Sequence, residues 1–257
     1  MTYNRQKSVP AAILDMHTHL WLGRVNQCRD ALLRAAEAYN YLRVYVSTLG
    51  GGALPNEAQI RECNAASAEF IRDYPNLVRG WCYVNPRHTN SIDVIKRGIY
   101  EQRMTGVKLW IATLCDDPLV FPIAEFCIEN NLPLLIHALD KTVGQCEFES
   151  VGMNVRNLAL RYPELRIIMA HLGGNEYTGI RAISDCKNVT VDISGVIHRA
   201  DTLEYAIERV GVNRLMYGTD MSGNAPGWSG IGRVDALDIS DSDKRRIFLD
   251  NAVEYGL

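Results

Sequence analysis

The regular alternation of short apolar runs with longer amphipathic stretches is the feature that most constrains the fold of this chain. Eight runs have strand character, and they begin near Ile13, Arg43, Val78, Val107, Pro133, Ile167, Val189 and Leu215. The stretches between them carry apolar residues at a spacing of three to four, which is typical of helices packed against a sheet. In residues 57–74 the predicted apolar face consists of Ile60, Cys63, Phe70 and Tyr74.

Strand, helix and strand follow one another at intervals of roughly 25 to 35 residues, which is the length of a unit with parallel strands and a helical crossover. Eight such units predict an α/β fold, a closed (β/α)8 TIM barrel, over residues 1–257 as a single domain, with residues 1–11 as an N-terminal arm. An open, doubly wound sheet is the alternative, because periodicity by itself does not show whether the sheet closes.

Composition and charge narrow the class of protein. Apolar residues make up 47% of the chain and charged residues 22%, as in ordinary globular proteins. The net charge is −3 and no basic stripe or tail occurs, so neither nucleic acid nor an anionic membrane is an expected partner. The seven cysteines include no C-x-x-C pair and predict reduced thiols. No apolar segment is long enough for a signal peptide or a membrane span, so we expect a cytoplasmic protein.

Residues 13–20, ILDMHTHL, place two histidines two residues apart in the first predicted strand. Because alternate side chains of a strand share one face, Asp15, His17 and His19 are expected to point the same way. Two imidazoles beside a buried carboxylate predict a metal site, since one divalent cation satisfies both rings. Core histidines bonded to other protein groups are the alternative.

Further side chains that can bind metal or move protons lie late in other predicted strands. They are Lys108, His137, His171 and Asp220. In a barrel of this kind the carboxyl ends of the strands form the active face. These side chains are therefore expected to converge with the two histidines of the first strand at one rim.

Several spaced motifs, taken together and in order, resemble the amidohydrolase superfamily. They are the H-x-H after strand 1, the His after strand 5, H-L-G-G after strand 6, V-D-I-S-G after strand 7 and G-T-D after strand 8. The pattern is most similar to the branch that includes aminocarboxymuconate-semialdehyde decarboxylase, resorcylate decarboxylases and pyrone-dicarboxylate lactonase. The resemblance extends over almost the whole chain, from about residue 13 to residue 257.

This resemblance implies a site with one divalent metal ion. His17, His19, His137 and Asp220 match the metal ligands, and His171 matches an additional active-site histidine. Zn²⁺ would be the usual occupant, with Mn²⁺ as the alternative. A metal-bound water has a pKa of about 7, and Asp220 could take its proton. His171 would stabilise the developing oxyanion and return a proton to the leaving group, so Asp220 and His171 are the catalytic candidates.

Lys108 leaves a second possibility open at this site. Some superfamily members carry a carboxylated lysine on strand 4 that bridges two metal ions, and Lys108 falls on that strand. A lysine paired with a buried acid, Asp15 or Asp192, is the alternative. Asp192 itself is expected to be a hydrogen-bonded residue near the site rather than a ligand.

Three side chains are candidates for binding the substrate. Trp21 and Trp110 would stand at the barrel mouth, where they could form a wall for an aromatic or planar molecule. Arg199 follows strand 7, and its guanidinium could bind a carboxylate with two parallel hydrogen bonds. Ordinary loop packing and solvent exposure are the alternatives.

Three functions remain open at this stage. The leading prediction is a hydrolase that cleaves a C–N or C–O bond of a small molecule through a metal-activated water. The alternative is a metal-dependent non-oxidative decarboxylase of a small unsaturated or aromatic acid. The number of cationic side chains that face the metal would distinguish the decarboxylase from the hydrolase. A barrel that binds a ligand without catalysis is the third. A homodimer is expected only by analogy with relatives.

Overall fold

The computed structural model describes residues 12–195, 201–222 and 227–257, except for the side chains of residues 176 and 227–229. The strands are β1 (Ile13–Trp21), β2 (Tyr41–Leu49), β3 (Val78–Tyr83), β4 (Gly106–Leu109), β5 (Leu134–Ile136), β6 (Ile167–Met169), β7 (Val189–Asp192) and β8 (Leu215–Met216). The helices are α1 (Val25–Ala38), α2 (Glu57–Asp73), α3 (Ser91–Tyr100), α4 (Phe121–Glu129), α5 (Gly152–Arg161), α6 (Glu176–Ile183), α7 (Thr202–Val210), α8 (Gly227–Asp235), α9 (Asp241–Arg245) and α10 (Asn251–Glu254). The predicted arm, residues 1–11, lies outside the described residues.

The eight strands form one parallel sheet in the order β1 to β8, and a parallel bridge between Thr18 and Met221 closes it. After β8 the chain returns to β1, where Asp220 N donates to His17 O over 2.8 Å and His19 N donates to Met221 O over 3.0 Å. Met16 N also donates to Tyr217 O over 3.1 Å. This closure confirms the (β/α)8 barrel and excludes the open doubly wound sheet, which would leave two free edges.

Two apolar layers hold the barrel together. Inside it, large side chains such as Leu14, Trp81 and Ile168 pack on one another, and Ala252 and Leu257 from the end of the chain join them. Alternate strand residues face outward and pack on the helices in a second, larger core. The interior is therefore filled by apolar side chains, and the buried polar residues gather at the carboxyl ends of the strands. No helix in the described part of the chain has the length and apolar character needed to cross a bilayer.

The helix predicted within residues 57–74 illustrates how local signals set the elements. Asn56 accepts from Gln59 N, and the Gln59 side chain accepts from Asn56 N, so a capping box starts α2. Its inward face buries the predicted Ile60, Cys63 and Phe70. Tyr74 lies just beyond the helix and is 38% exposed, so its placement on the packed face was wrong. The helix ends one residue earlier than the spacing suggests, before Pro75.

Candidate metal centre and active site

A break in the regular pairing of β1 decides which of its side chains face the barrel axis. The register with β2 shifts between Asp15 and Thr18, and Asp15 pairs with Val44 of the outer core. The Asp15 carboxylate accepts from Thr219 N over 3.1 Å and from Thr219 Oγ1 over 2.7 Å. Burial raises the pKa of this carboxyl to about 7 despite these bonds. The expectation that Asp15 shares a face with the two histidines was wrong, because the irregularity interrupts the alternation.

His17, His19 and Asp220 converge at the carboxyl end of β1. The Nε2 atoms of the two imidazoles are 3.1 Å apart. Asp220 Oδ1 lies 3.0 Å from His19 Nε2 and 3.7 Å from His17 Nε2. One ligand atom from each residue therefore falls within 4.8 Å of the other two. Two imidazole nitrogens and one carboxylate oxygen form a donor set that suits a divalent transition metal.

Neighbouring groups hold both imidazoles in the tautomer that metal binding needs. Asp192 Oδ2 accepts from His17 Nδ1 over 2.8 Å, and the Ser47 carbonyl accepts from His19 Nδ1 over 3.1 Å. Each ring therefore donates at Nδ1 and turns the lone pair of Nε2 toward Asp220. Such outer partners orient the ligands of metal sites.

The protonation states in the cluster also favour a cation. Burial, followed by the nearby Lys108 and His19, holds the pKa of His17 well below its ordinary value, so the ring is neutral at neutral pH. Burial alone would raise the pKa of the Asp220 carboxyl, but its contact with His19 and the nearby His171 and His17 hold that pKa below its ordinary value. A neutral imidazole, as at His17, and an ionised carboxylate, as at Asp220, are the forms that bind metal.

His137 and His171 form a second pair beside this cluster. His171 Nε2 lies 3.1 Å from His137 Nδ1, and His137 Nε2 lies 2.8 Å from Glu149 Oε1. Lys141 Nζ is 2.7 Å from the same Glu149 oxygen. Burial alone would raise the pKa of the Glu149 carboxyl, but the bonds from His137 and Lys141 lower it to about 2. His137 turns Nδ1 inward, and its role as the fourth metal ligand stays a prediction.

The backbone at His171 is held in an uncommon conformation. His171 and Leu172 have φ values of +60° and +50°, and Asp192 Oδ1 accepts from His171 N over 3.0 Å. Two consecutive left-handed non-glycine residues carry strain that the surrounding contacts must offset. Burial lowers the pKa of His171 to about 4, so the ring is neutral at neutral pH.

Ser194 connects the two histidine groups. Its hydroxyl lies 3.0 Å from His17 Nδ1 and 2.9 Å from His171 Nδ1, and it also donates to Asp192. His17, His171 and Asp192 thus form a second compact set of donor atoms, with the Ser194 hydroxyl among them. The hydroxyl proton goes to Asp192 and the hydroxyl oxygen accepts from the Nδ1 atoms of the two rings, so this set orients the rings. Asp192 accordingly occupies the place expected of a hydrogen-bonded neighbour of the site.

Lys108 is fully buried on β4 and reaches the cluster directly. Its Nζ lies 3.0 Å from His17 Nε2. Its hydrogen bond goes to this histidine, whereas the alternative drawn from the sequence paired the lysine with Asp15 or Asp192. Burial lowers the pKa of Lys108 to about 8. A role as a ligand that bridges two metal ions stays a prediction.

Two tryptophans form an aromatic wall next to the cluster. The ring of Trp21 lies 5.9 Å from that of His19 and 5.9 Å from that of Trp110, between centroids. Tyr83 continues the wall at 6.3 Å from Trp110, and its buried hydroxyl has no hydrogen-bond partner among the described residues. The third substrate-binding candidate, Arg199, lies outside the described residues.

The sequence did not single out several residues that complete this site. Ser194 lies inside the V-D-I-S-G motif, so its position beside Asp192 was a usable signal. Ser47 lies on β2, two residues after Tyr45. Its position in a predicted strand was the only sequence signal for a role in the site. Glu149 lies in the loop between β5 and α5, where no periodicity operates, and nothing in the sequence marked it.

Sequence comparison adds to this geometry. The profile described as Amidohydrolase matches residues 14–255, which is nearly the whole chain. The chain belongs to the amidohydrolase family. Comparison of this amidohydrolase with curated protein sequences gives no match.

Solved structures with similar folds include several decarboxylases. One is 2,6-dihydroxybenzoate decarboxylase from Rhizobium, with a TM-score of 0.75, 15% identity and coverage of 95% of this amidohydrolase and 98% of that chain. A second is 5-carboxyvanillate decarboxylase from Novosphingobium aromaticivorans complexed with manganese, with a TM-score of 0.77, 18% identity and coverage of 97% of both chains. A third is a manganese-bound dihydroxybenzoic acid decarboxylase from Polaromonas, with a TM-score of 0.74, 15% identity and coverage of 95% of this chain and 96% of that one. At these identities the likeness shows a common fold.

Proposed function

We propose that this member of the amidohydrolase family is a metal-dependent, non-oxidative decarboxylase of a small aromatic or unsaturated acid. The observation that carries the proposal is the position of the Trp21–Trp110 wall directly beside His19 in the His17, His19 and Asp220 cluster. A planar acid lying against that wall would present its carboxylate to the cluster. The aromatic-acid decarboxylases among the similar structures support the same choice.

His17, His19 and Asp220 would hold the divalent ion, with His137 as the expected additional ligand. The ion would supply positive charge that stabilises electron density left on the substrate as CO2 departs. We propose Mn²⁺ as the occupant, because two of the similar decarboxylases bound manganese, with the Zn²⁺ of the sequence analysis as the alternative.

The remaining chemistry falls to side chains of this chain. In the reaction the bond between the ring carbon and the carboxylate breaks, CO2 leaves, and the ring carbon gains a proton. Asp220 belongs to the cluster and its side chain is 13% exposed, so its ionised carboxylate could take a proton from solvent and pass it to that carbon. The neutral His171, which donates from Nδ1 to Ser194, would accept a hydrogen bond at Nε2 from a substrate hydroxyl. The aromatic wall would orient the ring and keep water away from it.

Hydrolysis of a C–N or C–O bond is the second candidate. It is favoured by the ionised carboxylate of Asp220 beside the donor cluster, which is the base that an attacking water would need. The two reactions differ in a way that can be measured. Only decarboxylation releases CO2 and leaves every other bond of the acid intact.

The deciding experiment uses metal-free protein reloaded with Mn²⁺ or Zn²⁺. The loaded protein is incubated with 2,6-dihydroxybenzoate and 5-carboxyvanillate, and separately with an aryl lactone and an aryl amide. We expect metal-dependent release of CO2 from an aromatic acid, and loss of this release in His19→Ala. Hydrolysis of the lactone or amide without CO2 release from either acid would contradict the proposal.

A further inference from the structure

The buried ammonium of Lys108 has few hydrogen-bond acceptors in the site. Its ammonium is completely buried, and the one hydrogen bond that the described residues provide for it goes to His17 Nε2 over 3.0 Å. A buried ammonium has three donors and is costly to leave without an acceptor. Its interaction with His17 is therefore part of what makes burial of Lys108 tolerable.

The same nitrogen of His17 is required by the metal centre. His17 donates from Nδ1 to Asp192, so Nε2 carries the single lone pair that the ring can offer. That lone pair also belongs to the donor set shared with His19 and Asp220. One lone pair cannot accept from Lys108 and bind a cation at once. A divalent ion on His17 would therefore leave the Lys108 ammonium in need of another acceptor.

Two other cationic side chains, those of Lys141 and Arg87, already have partners within the protein. Lys141 Nζ contacts Glu149 Oε1 over 2.7 Å. Arg87 donates from Nε to the Ala112 carbonyl over 2.7 Å, and its guanidinium lies over a phenylalanine ring. Among the described residues, Lys108 is accordingly the cation that directly adjoins the cluster. It also precedes Trp110 of the aromatic wall by two positions.

We propose that Lys108 determines the specificity of the site for anionic substrates, by donating to the carboxylate of an acid that lies against the tryptophan wall. The inference rests on the proposed function and deepens it. The carboxylate replaces His17 as the acceptor once the metal has taken Nε2. Charge-assisted hydrogen bonds of this kind are stronger than neutral ones. A substrate without an anionic group would leave the ammonium unsatisfied and would be rejected.

The test compares Lys108→Met with wild type, and with Lys96→Met as the matched control. Lys96 is exposed on α3, so its variant removes the same charge far from the site. Calorimetry measures Mn²⁺ binding to the metal-free proteins, and then binding of 2,6-dihydroxybenzoate and of resorcinol to the Mn²⁺-loaded proteins. In Lys108→Met we expect Mn²⁺ to bind as tightly as in wild type or more tightly, because a competing ammonium is gone. The carboxylate should bind about 10- to 100-fold more weakly, with resorcinol unaffected.

Two results would overturn the role of Lys108. A tenfold or greater loss of Mn²⁺ affinity in Lys108→Met would show that the lysine is itself a metal ligand. Equal binding of the carboxylate by wild type and Lys108→Met would show that it does not hold the acid. Failure of wild type to bind either compound would instead count against the proposed function, and the inference would fall with it.

A measurement on wild type keeps the inference falsifiable if Lys108→Met does not fold. Native mass spectrometry of the Mn²⁺-loaded protein in bicarbonate buffer reports both the number of metal ions and any added carboxyl group. We expect one ion and an unmodified lysine. Two ions together with a carboxylated lysine would assign Lys108 to a bridging role and overturn the proposal.

Discussion

His17 Nδ1 lies 2.8 Å from Asp192 Oδ2, and this contact joins the first strand of the barrel to the seventh. Neither atom touches the place where the three ligand atoms converge, yet the bond decides which nitrogen of His17 faces that place. The carboxylate also accepts from His171 N over 3.0 Å. One buried aspartate therefore orients both histidine groups of the site.

Removal of this carboxylate is expected to weaken metal binding without removing a ligand. In Asp192→Ala the His17 ring is free to change tautomer and rotate, so the affinity for Mn²⁺ should fall about 10- to 100-fold. Asp192→Asn, which keeps an acceptor oxygen, should lose less. Calorimetric titration of metal-free protein measures both values, and the exposed Asp238→Asn is the control. An unchanged affinity in Asp192→Ala would show that the contact does not orient the ring.

Loss of a ligand should have a larger effect on turnover than on folding. His19→Ala and Asp220→Ala each remove one of the three converging atoms, so turnover should become undetectable. Circular dichroism should show a largely intact barrel, because the apolar layers do not depend on these residues. Bound metal, measured by elemental analysis, should fall in step with activity. Retained turnover in both variants would refute the assignment of the site.

The aromatic wall should act on the substrate and not on the metal. Trp110→Leu shortens the wall while keeping an apolar side chain, so we expect KM for an aromatic acid to rise about tenfold. Binding of Mn²⁺ should stay within about twofold of wild type, since Trp110 contacts Trp21 and Tyr83 rather than the ligands. Steady-state kinetics and calorimetry measure the two effects. The matched control is Tyr100→Leu, which alters an exposed aromatic side chain on α3. Equal KM values for Trp110→Leu and wild type would remove the wall from the substrate site.

Acid should destabilise the metal-free protein partly through His171. Burial lowers its pKa to about 4 in the folded protein from an ordinary value of 6.5, so between these values the unfolded chain binds the proton and the folded one does not. The stability that this neutral ring contributes is therefore fully present above about pH 6.5. It is lost as the pH falls toward 4, by a total of about 3 kcal/mol.

Urea denaturation of wild type and His171→Asn across this pH range isolates the contribution. Other buried acids, such as Asp15, titrate in both proteins and cancel in the difference. We expect the stability advantage of wild type over His171→Asn to shrink as the pH decreases from 6.5 to 4. A difference that is independent of pH would contradict a neutral, buried His171.

The sequence by itself determined the architecture and the identity of the converging side chains. Helix and strand periods are local, so the apolar spacing within each segment predicts whether it forms a helix or a strand. Eight repeats of one strand–helix unit are compatible with few folds. The H-x-H of β1 and the late position of Asp220 in its strand predict three donors at one rim of the barrel.

Only the tertiary structure decided how these donors are oriented and with what they pair. Asp15 turned away from the histidines because the register of β1 shifts against β2. Lys108 contacts His17 rather than an acid, and Glu149 contacts His137 from the loop between β5 and α5. Such pairings depend on closure of the sheet and on the path of a loop, and neither of these produces a repeating pattern of residues in the sequence.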